Sequence, residues 1–250
     1  MFQRLEFADL KILLTRTAEQ NKQSAKRLKV LGYETVCLAL GKVLDTGLAI
    51  NKISNDGVII TSANTVKILA ERKFAIACPI FVVGERTQQA VEKFDLGTVK
   101  HVAPNAKSLA EYLFSTHAHS HAHVRFSYLA GEEIAFDFNE YFDLATGSKN
   151  IFVDVLEVYK IVRIEPERTV LNDSVKSCLN GVQLHYSVAS ADHFFKLIRK
   201  YDLENVSKTM CAVAISNKTS HSVDFSLVKS VQNAKIETEA SMFEIIQHMP

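Results

Sequence analysis

The chain has 250 residues, 47% of them hydrophobic, which is enough to form the core of one large domain or of two smaller ones. Its 29 basic and 28 acidic residues leave a net charge of +1, and no long basic run occurs. This balance excludes the strongly basic surface of a dedicated nucleic-acid-binding protein.

Short apolar runs alternate with longer segments of helical period along the chain. This alternation is typical of α/β proteins with mostly parallel sheets. In chain order the predicted strands are 11–15, 34–40, 57–61, 79–84, 99–103, 124–130, 154–162, 181–187, 211–215 and 234–238. The predicted helices are 18–31, 63–72, 86–94, 105–115, 132–140, 168–179, 189–200, 218–229 and 239–248. Ten strands are too many for one small sheet.

Two pairs of segments repeat the same features in the two halves of the chain. Residues 56–71 and 180–198 both contain a turn, an apolar strand that ends in a hydroxylic residue, and a helix. Residues 79–91 and 211–223 both contain a strand, a tight turn, a threonine and a helix. Two similar α/β lobes are the simplest account of this near-repeat.

The composition of the first residues and the spacing of the cysteines bear on the cellular compartment. Arg4, Glu6, Asp9 and Lys11 interrupt the apolar residues at the start, so no apolar region of a signal peptide is found there. No later stretch approaches the ~20 apolar residues that cross a bilayer. The four cysteines lie far apart without a C-x-x-C pair. We therefore expect a cytoplasmic protein with reduced thiols.

Small polar residues follow four of the predicted strands. The carboxyl ends of parallel strands lie beside helix N-termini with unpaired N–H groups, which makes these residues candidates for binding carboxylates or phosphates. Any single one is more often a helix cap, whereas recurrence at four corresponding positions favours binding. The candidates are Thr61, Ser62, Asn64, Gly84 and Thr87 in one half, and Ser187, Ser190, Ser216, Asn217 and Thr219 in the other. No glycine-rich nucleotide motif follows any strand.

Seven short blocks follow one another between residues 12 and 225. They are ILLTR (12–16), GVIITSANTVKIL (57–69), PIFVVGERTQQAV (79–91), SYLAGEE (127–133), VLEVYKIV (155–162), VQLHYSVASADHFF (182–195) and CAVAISNKTSHSV (211–223). In this order and spacing they resemble the uroporphyrinogen-III synthase family, which closes a linear tetrapyrrole in haem biosynthesis. Two departures occur: Ser216 and Asn217 replace a usual glycine turn, and residues 62–63 and 187–188 lack a frequent Ser-Pro.

The resemblance implies a fold of two lobes, each a mostly parallel sheet flanked by helices. Two extended connectors would join the lobes, and the ligand cleft would lie between them. Residues 1–37 plus 166–250 would form one lobe and residues 41–160 the other, with connectors near 36–42 and 159–166.

The resemblance also implies a reaction and a set of site residues. The family's substrate, hydroxymethylbilane, carries eight carboxylates, and its cyclisation with loss of water and inversion of ring D needs no cofactor or metal. Arg16 would hold a carboxylate, or would instead pair with a structural acid. The resemblance implies that Gly131 also contacts the substrate. Tyr159 would protonate the departing hydroxyl, unless it is merely a strand aromatic.

Two alternative functions stay open: a non-catalytic bilobal binding protein for an anionic metabolite, and an inactive member of the same family. Tyr159 distinguishes the first of these from an enzyme, because a pure binder needs no acid. We expect a monomer that binds the small tetrapyrrole, without nucleic acid or membrane. A transient contact with the preceding deaminase is left open.

The segment STHAHSHAHVRF (115–126) places four histidines at alternate positions, namely His117, His119, His121 and His123. Such a row could bind Zn²⁺ along one face of an extended strand. Composition is its only support, and the family chemistry needs no metal. We interpret the segment as a polar connection between a helix and a strand.

Overall fold

The computed structural model describes residues 10–50, 53–54, 56–117, 123–134, 136–146 and 150–249. The chain divides into two compact units, Met1–Lys42 with Val162–Pro250 (unit 1) and Val43–Ile161 (unit 2). In the described part of the chain, no helix is long and apolar enough to cross a bilayer.

The strands and helices alternate along most of the chain. The strands are β1 (Lys11–Leu14), β2 (Glu34–Cys37), β3 (Gly41–Asp45), β4 (Val58–Ile60), β5 (Ile80–Val83), β6 (Val99–Ala103), β7 (Val124–Gly131), β8 (Ile151–Arg163), β9 (Val182–His185), β10 (Cys211–Ala214) and β11 (Ser230–Asn233). The helices are α1 (Ala18–Val30), α2 (Ala63–Glu71), α3 (Glu85–Lys93), α4 (Ala106–His117), α5 (Phe138–Tyr141), α6 (Arg168–Lys176), α7 (Val188–Lys200), α8 (Glu204–Ser207), α9 (Asn217–Ser220) and α10 (Glu239–Gln247).

Two sheets organise the described residues. One has the strand order β11-β10-β9-β1-β2, and the other has the order β3-β8-β7-β4-β5-β6. In the first sheet, β1 pairs in parallel with β2 and β9, and β10 with β9 and β11. In the second, β4 pairs in parallel with β5 and β7, β5 with β6, and β7 with β8. The predicted α/β class with mostly parallel sheets is therefore confirmed. Two similar lobes with a ligand cleft between them stay a prediction.

Helices cover both faces of each sheet, which explains why central strands such as β4 and β5 are continuously apolar. In unit 1, Leu13 packs with α6 and α7, while Ile12 and Leu14 pack with α1 and α10 on the opposite face. All three side chains are fully buried. In unit 2, Ile59 packs with α4 and α5, and its neighbours Val58 and Ile60 pack with α2 and α3.

Three predicted elements differ from the structure, and one strand was not predicted. Residues 234–238 are not a strand: β11 lies just before them, and its mostly exposed SVQN sequence lacks an apolar run because it is a sheet edge. The predicted helix 218–229 is interrupted, since Asp224 caps a separate 3-10 helix, Phe225–Leu227. Asp137 likewise starts α5 after most of the predicted helix 132–140. The short edge strand β3 was not predicted.

His185 is a fully buried polar residue in the core of unit 1. Its imidazole lies against Phe194 and Phe195, and Nε2 is 3.3 Å from the Gln183 side-chain oxygen. Burial disfavours the charged form and lowers the pKa of His185 from 6.5 to about 4. The ring is therefore neutral in the folded protein at neutral pH.

We expect the burial of His185 to make the protein less stable in mild acid. Between pH 6.5 and pH 4 the unfolded chain binds this proton more readily than the folded one, so the contribution to stability is complete above pH 6.5 and is lost as the pH falls towards 4. The loss amounts to about 3 kcal/mol. Denaturant unfolding of the wild type and of His185→Leu at several pH values measures it. An equally steep pH dependence in both proteins would contradict the expectation.

Candidate functional site

The carboxyl ends of four adjacent strands in unit 2 carry predicted site residues. The strands lie in the order β8-β7-β4-β5. Tyr159 lies on β8 and Gly131 ends β7, while Ser62 and Gly84 follow β4 and β5. The structure brings Tyr159, Gly131 and Ser62 into one cluster.

A register shift places Tyr159 beside Gly131. Ala130 of β7 pairs with Glu157 of β8, but Gly131 pairs with Tyr159, so Val158 is an extra residue in the ladder. Such a bulge redirects a side chain near the end of a strand. The Glu132 N–H donates to the Tyr159 carbonyl at 2.9 Å and holds this arrangement.

The tyrosine ring occupies the space that a side chain at position 131 would need. A Cβ atom built on Gly131 would lie 2.5 Å from Cζ and 2.8 Å from the hydroxyl oxygen of Tyr159. Glycine is therefore the residue that leaves the Tyr159 ring room in this position. The contact with Tyr159 accounts for a glycine at position 131, and contact of Gly131 with the substrate stays a prediction.

Ser62 links the phenol to the start of a helix. Its Oγ accepts a hydrogen bond from the Asn64 N–H at 3.1 Å, which caps α2, and a second from the Tyr159 hydroxyl at 3.2 Å. A serine hydroxyl has two acceptor lone pairs and one hydrogen, so Ser62 can still donate. Tyr159 thus has a neighbour that can both accept from it and donate to it.

Thr61 contacts a tyrosine that the sequence analysis did not single out. The hydroxyls of Thr61 and Tyr128 are 2.8 Å apart. Burial raises the pKa of Tyr128, the hydrogen bond to Thr61 lowers it, and the nearby Tyr159 raises it further. The sequence signal for Tyr128 was a phenol in a predicted strand, in the same block as Gly131.

The next strand end in unit 2 is shaped by Gly84. This residue precedes α3 with a φ of 80°, in the left-handed region that favours glycine. Its carbonyl accepts from the Thr87 N–H at 3.0 Å, and Thr87 is buried. No side chain caps α3. The uncapped helix start favours an anionic ligand, whereas the Glu85 carboxylate in the same first turn opposes one.

The predicted Ser, Asn and Thr residues of unit 1 follow two adjacent strands, β9 and β10, and form the starts of helices that Ser187 and Ser216 cap. The Ser187 side chain accepts from the Ser190 N–H at 3.3 Å at the start of α7. The Ser216 side chain accepts from the Thr219 N–H at 3.2 Å at the start of α9. Asn217 is the first residue of α9, and its carbonyl accepts from the Ser220 hydroxyl at 2.8 Å. Capping accounts for these contacts, and ligand binding by the same residues stays a prediction.

Arg16 is held by an acidic residue of α10. Its Nη2 is 2.8 Å from Glu239 Oε1, and its guanidinium carbon lies 3.6 Å from the centre of the Tyr186 ring. The Tyr186 hydroxyl donates to the same Glu239 oxygen at 2.7 Å, and Ser24 and Arg27 also contact this carboxylate. The alternative in which Arg16 pairs with a structural acid is therefore present in the structure. Its contact with substrate stays a prediction.

We expect Glu239→Gln to lower the free energy of unfolding by about 2 kcal/mol, because Arg16 loses its partner in a largely buried cluster, whereas the second partner, Arg27, is mostly exposed and adds little. The side chains of Arg16 and Glu239 are only 19% and 13% exposed. Glu34→Gln is the matched control, since the 3.8 Å pair of Glu34 with Lys11 is exposed and contributes little. Denaturant unfolding measures both variants, and equal effects would contradict the assignment.

The histidine row lies partly outside the described residues. His119 and His121 fall in residues 118–122, which the structure does not describe. His117 ends α4 and lies edge-on to Phe126, and His123 lies beside Phe152. Within the described ranges, no group of three or more His, Cys, Asp or Glu side chains could hold a metal ion.

Comparison with known proteins gives one family and several similar folds. The family described as Uroporphyrinogen-III synthase HemD matches residues 22–244. The crystal structure of uroporphyrinogen-III synthetase from Helicobacter pylori 26695 is 15% identical, with a TM-score of 0.51, and the match covers 95% of this chain and 98% of that one. Thermus thermophilus uroporphyrinogen III synthase is 14% identical, with a TM-score of 0.38, over 95% and 98% of the two chains. No curated protein matches. The Helicobacter pylori structure shows a shared fold.

Proposed function

Because the chain belongs to the uroporphyrinogen-III synthase family, we propose that it converts hydroxymethylbilane to uroporphyrinogen III in tetrapyrrole biosynthesis. The reaction closes the ring with loss of water and inversion of ring D, so the protein would be a cyclising hydro-lyase that uses no cofactor. The observation that carries the proposal is the Tyr159 phenol, held by Ser62 at the carboxyl ends of the strands.

Tyr159 supplies the acid in this proposal. The C–O bond of the ring A hydroxymethyl group breaks, the electron pair leaves with oxygen, and the oxygen takes the phenol proton to depart as water. The pyrrole nitrogen pushes electrons toward the carbon that loses the oxygen. Ser62 then turns its own hydrogen toward the Tyr159 oxygen, which stabilises the transient phenolate.

The proton returns at the end of the cycle. Ring D attacks the activated carbon through its substituted α-carbon and forms a spiro intermediate. The bond between that α-carbon and the methylene of ring C then breaks, the methylene carbon bonds to the free α-carbon of ring D, and that α-carbon releases one proton. The Tyr159 oxygen takes up that proton, which restores the phenol. One acid therefore serves both proton transfers, and no other donor is needed.

We assign the substrate carboxylates to the strand ends. A ligand with eight carboxylates needs many donors, and α2, α3 and α7 each begin at a predicted residue, where the helix N-terminus favours an anion. Of these three helix starts, only that of α3 after Gly84 has no side-chain cap. Arg16 would bind a carboxylate only in competition with Glu239.

In the test, the deaminase that precedes this step generates hydroxymethylbilane in situ, and chromatography identifies the uroporphyrinogen isomers. We expect isomer III in excess when the protein is present. The same mixture without the protein is the control and yields isomer I, the spontaneous product. Isomer I alone in both mixtures would contradict the proposed function and leave a binding protein or an inactive member.

A further inference from the structure

Two phenols contact two consecutive hydroxyl residues at the end of β4. Tyr128 contacts Thr61 at 2.8 Å, and Tyr159 donates to Ser62 at 3.2 Å. Tyr128 comes from β7 and Tyr159 from β8, and β7 lies between β8 and β4 in the sheet. The four side chains therefore form one group around the turn from β4 to α2.

Tyr128 is in a position to anchor that turn. It is only 5% exposed, its ring lies edge-on to Phe138 at 5.3 Å, and it pairs with Ile59 across the β4 and β7 ladder. The next residue of β7, Leu129, accepts a hydrogen bond from the Thr65 hydroxyl at 3.2 Å. The start of α2 is thus attached to β7 at two points, one before Ser62 and one after it.

We propose that Tyr128 is a positioning residue for the cyclisation: by holding Thr61, it sets the Ser62 hydroxyl that orients the phenol of Tyr159. This inference rests on the proposed function. Tyr128 acts through Tyr159, so its hydroxyl has no effect on turnover once the Tyr159 hydroxyl is absent. Burial also raises the pKa of Tyr128, which keeps the phenol neutral and able to hold Thr61.

The experiment is a double-mutant cycle of Tyr128→Phe and Tyr159→Phe in the isomer III assay. We expect Tyr128→Phe alone to lower kcat about three- to tenfold, with KM unchanged, because one hydrogen bond that orients the acid is lost. In the Tyr159→Phe background the same change should alter kcat less than about twofold. A merely structural role would give equal factors in both backgrounds.

Variants of the same chemistry supply the controls. Thr61→Val removes the partner hydroxyl and should match Tyr128→Phe, whereas Thr61→Ser keeps a hydroxyl and should retain most activity. Tyr112→Phe removes a phenol oxygen from another tyrosine of unit 2, whose ring stacks on His101, and should leave kcat unchanged.

The outcomes separate this inference from the proposed function. An unchanged kcat in Tyr128→Phe, or the same loss in both backgrounds, overturns the inference while isomer III still forms. Failure of the wild type to form isomer III overturns the proposed function instead. In that case the unfolding equilibrium constants of the wild type, the two single variants and the double variant provide the test. If the effects of the two substitutions on that constant are coupled by less than about twofold, the positioning contact is overturned.

Discussion

Tyr159→Phe is expected to lower kcat for uroporphyrinogen III by about 10²-fold, with little change in KM. The variant keeps the ring against Gly131 but loses the proton that departs with the ring A hydroxyl, and general acids typically contribute this much or more. Electron donation from the pyrrole nitrogen supplies part of the driving force, which keeps the effect near the lower limit. Initial rates with hydroxymethylbilane generated in place measure it.

The same assay shows whether the loss is chemical. Spontaneous isomer I should accumulate as isomer III falls, while thermal unfolding stays near that of the wild type, because only one partly buried hydrogen bond is removed. Tyr112→Phe is again the matched control. Unchanged turnover in Tyr159→Phe would exclude this residue as the acid.

Gly131→Ala should reduce kcat nearly as much as Tyr159→Phe does. The new Cβ would lie 2.5 Å from Cζ of Tyr159, so the ring must move. The clash involves the far end of a side chain and no backbone atom, and the ring can therefore rotate away at modest cost. We expect the phenol to leave Ser62 while the protein stays folded, with an unfolding free energy reduced by about 1 kcal/mol.

Gly181→Ala provides the contrast. There a Cβ would lie 2.3 Å from the Lys11 carbonyl oxygen and 2.8 Å from that of Cys178, and these backbone atoms belong to β1 and to the turn that follows α6. This variant should lose about 2 kcal/mol or more of stability. Gly131→Ala combined with Tyr159→Phe should be no slower than Tyr159→Phe alone. Wild-type kcat in Gly131→Ala would show that the position of the ring does not matter for the reaction.

Most elements could be predicted from the sequence because their signals are local. Buried parallel strands such as β1 and β4 are continuous apolar runs, and helices such as α2 and α7 follow a serine whose side chain caps them. The prediction of a strand at residues 234–238 was wrong because the strand in this region, β11, has no apolar run that marks it in the sequence. The edge strand β11 has one neighbour and exposed side chains, so its sequence resembles a loop.

The sequence by itself determined the α/β class and the Ser and Thr residues at the strand ends, since burial and helix capping depend on residues close together in the chain. Only the tertiary structure decided which strand ends meet. The order β8-β7-β4 and the extra residue Val158 bring Tyr159 to Gly131 and Ser62, across 28 and 97 positions of sequence. The contact of Tyr128 with Thr61 was likewise decided by the tertiary structure, because strand order and register arise from packing between distant segments.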